Sequence, residues 1–280
     1  MRFDPTPARH EATYLEILGQ QIRIGHNSPA TLPLISANFG AMAVQPGSVP
    51  PDLHYLVEVD GDRFAVTRQG RPPTSGAGSD SLLHAIEKDL TVELQRKRDD
   101  LFFLHAAAVE WRGKAYLLAA DSGSGKSTTT WALLHHGFGY LSDELSPIDL
   151  RTMQVYPYPH ALCVKRPPPT YPLPPEALHL GRTIHVPANA LPGPVIVGPR
   201  SLGGVFFVAY STESSAPAVT RISAAEGAAR MYVTALNALA HADAGLAPVL
   251  RIAGQVPCYA LSSAGLPETC ALIRATLESQ

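Results

Sequence analysis

Apolar and polar side chains alternate through Tyr14-Leu15-Glu16-Ile17-Leu18 and Gln21-Ile22-Arg23-Ile24. A period of two puts successive side chains on opposite faces, so both stretches are expected as strands. The alternation recurs in His54 to Val59 and Arg63 to Thr67 on either side of Asp60-Gly61. Asp-Gly tolerates the positive φ angles of a tight turn, and the segment predicts a hairpin. Gly70 to Ser79, rich in Pro, Gly and Ser, is expected to extend neither strand. Leu82, Leu83, Ile86, Leu90 and Leu94 then recur at helical spacing, predicting a helix to about Arg98 with Ser79-Asp80 as caps and a buried leucine stripe. Residues 1–99 therefore read as a small α+β domain.

From Leu101 short apolar runs alternate with helical segments, the pattern of an α/β domain over residues 100–280. Ala115 to Ala120 is a buried-type strand that feeds a glycine-rich turn, and Ser127 to His136 follows as a helix closed by Gly137. Tyr140-Leu141-Ser142 is expected as the strand beside it, and Ala161-Leu162-Cys163-Val164 is also strand-like. Six prolines between Pro167 and Pro175 demand an irregular, exposed segment. Beyond it, Val205 to Ala209 and Tyr259 to Leu261 read as strands, 223–243 as helical and Pro267 to Leu277 as a closing helix.

A chain of 280 residues with 45% hydrophobic and 16% charged residues has the balance of a folded globular protein. Its net charge of -2 supplies no broad cationic field, so neither nucleic acid nor membrane is an expected partner. Cys163, Cys258 and Cys270 are odd in number and lack metal-type spacing, which favours a reducing cytoplasm over a disulfide framework. Met1 to Tyr14 has no basic start followed by an apolar run, so no signal peptide is expected there. Any anion must be held by a local device.

That device is the run Asp121-Ser122-Gly123-Ser124-Gly125-Lys126-Ser127 between strand and helix. Gly123 and Gly125 allow backbone N–H groups to turn inward and a phosphate to approach closely. Lys126 adds a charge, Ser127 offers a hydroxyl to Mg²⁺, and the helix N-terminus favours the anion. Thr128 continues the candidate nucleotide site. The strict phosphate-loop pattern asks for Gly where Ala120 stands. Asp143-Glu144 closes the next strand, where one carboxylate can accept a hydroxyl proton and the other can hold the metal or its waters. The alternative for that pair is a solvated turn or a helix cap. His105, between Leu104 and Ala106, reads from its neighbours as a core histidine. His135 and His136 need no role beyond favouring the dipole at the helix end. Lys165 and Arg166 read either as solvated strand-end residues or as cations for a transferred phosphate.

The stretch from His105 to Asp149 resembles the catalytic domain of the HPr serine kinase/phosphorylase family, whose phosphate loop is also similar to that of phosphoenolpyruvate carboxykinase. The features shared are a His before a strand, the glycine loop, a helix ending at Gly137, and an acid seventeen residues beyond Lys126. Leu141 to Asp149 and Tyr158 to Lys165 look closer still to HPr-kinase-related proteins of peptide-modification systems, such as kinases of lasso-peptide precursors. The resemblance implies an α/β P-loop HPr-kinase-like fold behind the smaller α+β domain, with ATP and Mg²⁺ as cofactors. It implies Asp143 as general base, Glu144 in place of a second Asp near the metal, and His105 near the reacting phosphates. Lys126 would join Asp143 and His105 in catalysis, and Ser127, Asp143 and Glu144 would be the metal-side residues. The family's glycine-rich signature after the acids is not recognisable, and the prolines from Pro167 occupy that region.

The expected activity is transfer of the ATP γ-phosphoryl group to a hydroxyl, a serine of a peptide or protein. Two alternatives stay open: a nucleotide-binding regulatory module, and a kinase of a small-molecule hydroxyl. By analogy alone the fold points to a homo-oligomer, and the N-terminal domain is expected to grip a peptide along its hairpin edge.

Overall fold

The computed structural model describes residues 11–121, 123–210 and 216–279. The expectation for Met1 to Tyr14 falls largely outside them.

The first part of the chain builds β1 (Glu11–Ile17), β2 (Gln20–His26), α1 (Thr31–Phe39), β3 (Ala43–Val44), β4 (Leu53–Asp60), β5 (Arg63–Arg68), β6 (Thr74–Ala77) and α2 (Ser79–Lys97). Among the described residues its sheet runs β3-β1-β2-β4-β5-β6, with β2 and β4 parallel and the other pairs antiparallel. The Asp60-Gly61 hairpin is the β4–β5 pair. Two expectations are corrected. Thr74 to Ala77 does extend the sheet, because Gly76 has no side chain to clash with Phe64: a Cβ there would stand 2.7 Å from the Phe64 ring. Ser79 does not cap α2 but is its first residue, following Gly78 at φ +84° with no side-chain cap bond. Thr31 to Phe39, not foreseen, is helical and buries Ile35, Asn38 and Phe39.

The rest builds β7 (Leu101–Leu104), β8 (Ala106–Trp111), β9 (Lys114–Ala119), α3 (Lys126–His135), β10 (Gly139–Ser142), β11 (Ser146–Asp149), β12 (Gln154–Val155), β13 (Leu162–Val164), β14 (Leu178–Leu180), β15 (Thr183–Val186), β16 (Arg200–Tyr210), β17 (Ala218–Ile222), α4 (Ala224–Thr234), α5 (Leu246–Gln255), β18 (Cys258–Ser263) and α6 (Leu266–Glu278). The large sheet runs β10-β8-β9-β16-β12-β11-β7, with β18 on β16 and β17 on β18, while β13, β15 and β14 form a small separate sheet. β10 does not adjoin β9 as expected. β8 and β9 form a hairpin turning on Arg112-Gly113 at φ +51° and +82°, which puts β8 between them. Because both pairings are antiparallel, β10 still runs in the direction of β9, and their C-terminal ends open on the same sheet edge.

The expected helix over 223–243 stops at Thr234. Ala235 is extended and bridges Leu104, and Leu236 N–H donates to Phe103 O at 2.9 Å, so edge pairing wins over helix propensity. Alternation along β8 and β9 feeds two cores. Ala106, Ala108 and Leu117 face Met231, Val249 and Ile252 of α4 and α5, while Ala107, Val109 and Leu118 face Leu133, Cys270 and Ile273 of α3 and α6. The sheet is therefore covered by helices on both faces, a mixed α/β architecture. The leucine stripe of α2 packs with Leu101, Phe103, Leu145 and Tyr158, so the core of the first part runs into the second across residue 99.

Phe103 is fully buried in that shared cluster. Phe103→Ala is expected to lower the unfolding free energy by about 3–5 kcal/mol, read by urea titration of the far-UV dichroism.

Candidate functional site

β9 ends at Ala119, and the chain turns back through Gly123 and Gly125 at φ +92° and +91°, values that side chains rarely adopt. Ser124 N–H donates to Asp121 O at 3.1 Å, closing the turn. Gly125 is the left-handed N-cap of α3 and supplies no side-chain bond to it. The first N–H groups of α3 therefore face out from the positive end of the helix, an arrangement suited to an oxyanion. Asp121 and Gly123 are exposed, Ser124, Ser127 and Thr128 half-buried, and Ser122 lies outside the described residues. A Cβ on Gly123 would stand 4.0 Å from Lys165 Nζ, which brings that exposed ammonium to the loop; a Cβ on Gly125 would stand 3.5 Å from Tyr210 Cβ.

At the end of β10, Ser142 Oγ donates to Leu145 O at 2.6 Å and accepts from Leu145 N–H at 3.1 Å. This reciprocal pair folds the short turn that carries Asp143 and Glu144. Asp143 is fully buried. Its Oδ2 accepts from Ser127 Oγ at 2.9 Å and from Cys163 N–H at 3.1 Å, and its backbone carbonyl accepts from the buried Lys126 ammonium. Among the described residues Asp143 Oδ1 is buried with no hydrogen-bond partner. A buried carboxyl oxygen left so is costly, which sets Oδ1 apart from the anchored Oδ2.

Glu144 is exposed beside it. Desolvation by the surrounding protein would raise the Glu144 carboxyl, but the combined charges of His160, Lys126, His105 and His185 hold it below its ordinary range. His105 is half-buried, its N–H bonded to Thr234 O at 2.8 Å. Burial, reinforced by Lys126, lowers its imidazole against the opposing pull of Glu144 and Asp143. The structure thus gathers the glycine loop, Lys126, Ser127, Asp143, Glu144 and His105 at one sheet edge, with Lys165 alongside. Arg166 is exposed. Among the described residues no group of three or more His, Cys, Asp or Glu side chains is set to hold a metal.

Sequence reasoning missed a second wall. A cavity of about 400 Å³ is lined on one side by His105, Glu144, Tyr158 and His160 and on the other by His84 and Glu87 of α2. Glu87 Oε1 accepts from Asn38 Nδ2, and burial raises its carboxyl against the effects of His160 and that bond. Tyr158 and His160 are 0% and 3% exposed, their rings 5.0 Å apart. Among the described residues Tyr158 Oη and His160 Nδ1 have no hydrogen-bond partner. No sequence signal joins Asn38, Glu87 and His160, which meet only through tertiary packing. A larger cavity of about 470 Å³ at Arg221, Tyr259 and Ser279 shares no residue with this region.

His135 stands in the last turn of α3 and His136 follows as its C-cap. The two rings also pack on Tyr171 of the proline segment, His135 stacking at 4.6 Å.

Burial, with His160 close by, pushes His185 down to about 4, and its ring lies 3.2 Å from Asn38 Oδ1 and 3.3 Å from Cys163 Sγ. The unfolded chain takes up this proton near the ordinary value of about 6.5 and the folded protein only near 4, so stability present above 6.5 is lost as pH falls through that window. The loss is on the order of 3 kcal/mol, and His185→Gln is expected to flatten the acid limb of a stability–pH curve between those values.

The chain matches no protein-family model and no curated protein.

Proposed function

We propose that the glycine loop binds the phosphates of ATP and that the protein transfers the γ-phosphoryl group to a hydroxyl, a serine of a peptide or protein, as an HPr-kinase-like P-loop enzyme. The observation that carries this reading is Asp143: a buried carboxylate fixed against the loop helix by Ser127, with Oδ1 left for a ligand.

The left-handed glycines and the first turn of α3 offer N–H groups to the β- and γ-phosphates, and Lys126 and Lys165 bring ammonium charge beside them. Ser127 Oγ, the Asp143 carboxylate and Glu144 are hard oxygen donors, the kind that suits magnesium, which needs only one or two carboxylates beside phosphate oxygens and water. When bound, magnesium would offset phosphate charge and align the oxygens. Asp143 Oδ1 accepts the proton of the attacking hydroxyl, while Oδ2 stays anchored to Cys163 N–H and so fixes the carboxyl plane. Catalysis of this kind rests on position and charge rather than on a covalent step through the protein. The cytoplasmic nucleotide pool would supply the ATP.

A regulatory nucleotide-binding module is the second reading, favoured by Ala120 at the first glycine position and by the engagement of Lys126 with the Asp143 carbonyl. A small-molecule hydroxyl as acceptor is the variant within the enzyme class.

Two substitutions separate these readings. Lys126→Ala is expected to weaken Mg-ATP binding at least about tenfold by calorimetry. Asp143→Asn should keep nucleotide affinity and slow transfer by roughly 10²–10⁴-fold, followed with labelled ATP. Normal turnover by the Asn variant would remove Asp143 from the role of base.

A further inference from the structure

We infer that the face of α2 carrying His84, Glu87, Thr91, Val92 and Gln95 is the wall that reads the acceptor, seating an extended polypeptide segment whose hydroxyl residue reaches His105 and Glu144. The inference rests on the kinase reading above and adds where the acceptor lies and which side chains select it.

These positions are spaced i, i+3, i+7, i+8 and i+11, which puts them on one face of the helix, and all of them line the cavity of about 400 Å³. From residue 84 to residue 95 the face spans about 16 Å at 1.5 Å per residue. An extended chain covers that length with about five residues, whereas a compact small molecule would occupy a fraction of it. The opposite wall contains His105 and Glu144, so the cleft opens directly onto the turn that carries Asp143. Tyr158 Oη and His160 Nδ1 are buried side-chain atoms without a partner among the described residues. Both belong to residues of the cleft wall and lie beneath its surface, while His84, Thr91 and Gln95 line the cleft with polar side chains that suit the N–H and C=O groups of an extended backbone. Val92 and Leu236 also line the cleft, 40% and 44% exposed, and offer an apolar contact to a side chain of the segment. A polyol has no group for that contact; a peptide does.

The test uses the full chain with Mg-ATP and two probes, a degenerate library of serine-centred nonapeptides and a mixture of glycerol and glucose. Val92→Arg and Gln95→Arg change cleft side chains that belong neither to the glycine loop nor to the acidic turn, and calorimetry with Mg-ATP verifies that each variant keeps its nucleotide affinity. The expected result is phosphorylation of library peptides, slowed at least about tenfold in Val92→Arg, with the preferred residue near position 92 shifting from apolar to acidic. Peptide phosphorylation at the original rate and preference in both variants overturns the inference and leaves the kinase reading standing. Transfer to the polyols alone does the same. Absence of transfer to either probe, with Mg-ATP still bound, removes the kinase reading and this inference with it.

Discussion

A carboxylate can be buried as deeply as Asp143 only if several parts of the chain converge on it. Ser127 comes from the start of α3, the Cys163 amide from β13, and Lys126 reaches the backbone carbonyl of the same residue. Two elements, the start of α3 and β13, are thereby pinned to the end of β10. Each bond is worth about 1–3 kcal/mol when one partner is charged, but their larger effect is geometric. They fix which carboxyl oxygen is used up and which is left without a protein partner among the described residues.

The rest of the architecture serves that convergence. A sheet covered on both faces holds β9 and β10 in the same direction, so the loop leaving one and the acids leaving the other emerge at a common edge. The hairpin between them sets their spacing. The Ser142–Leu145 pair then turns the chain sharply enough that Asp143 points inward while Glu144 stays at the rim.

What the sequence revealed was what local rules govern. The glycine loop, its flanking strand and helix, and the Asp60-Gly61 hairpin could be read because turn chemistry and periodicity act over a few residues. The position of β10 could not, since a two-residue turn at Arg112-Gly113 placed another strand beside β9. β6 was hidden because its glycine looks like a strand breaker until Phe64 is seen lying over it. Within the site, Lys126 and Ser127 were found from the glycine-rich motif, and Asp143 from its place at a strand end and the family resemblance. Glu87, Tyr158 and His160 were not, because their meeting depends on α2 packing across from a different sheet, a contact between residues more than fifty positions apart.

That packing has a consequence for how the polypeptide can be divided. The stripe from Leu82 to Leu94 covers Leu101, Phe103, Leu145 and Tyr158, two of which flank the acidic turn and the cleft. A fragment begun after residue 99 would leave those four side chains wet, and the floor beneath the acids would lose its lid. Proteolytic nicking between β5 and β6 is therefore a milder injury than excision: the cut halves would stay clasped by shared core, as long as the helix keeps its seat.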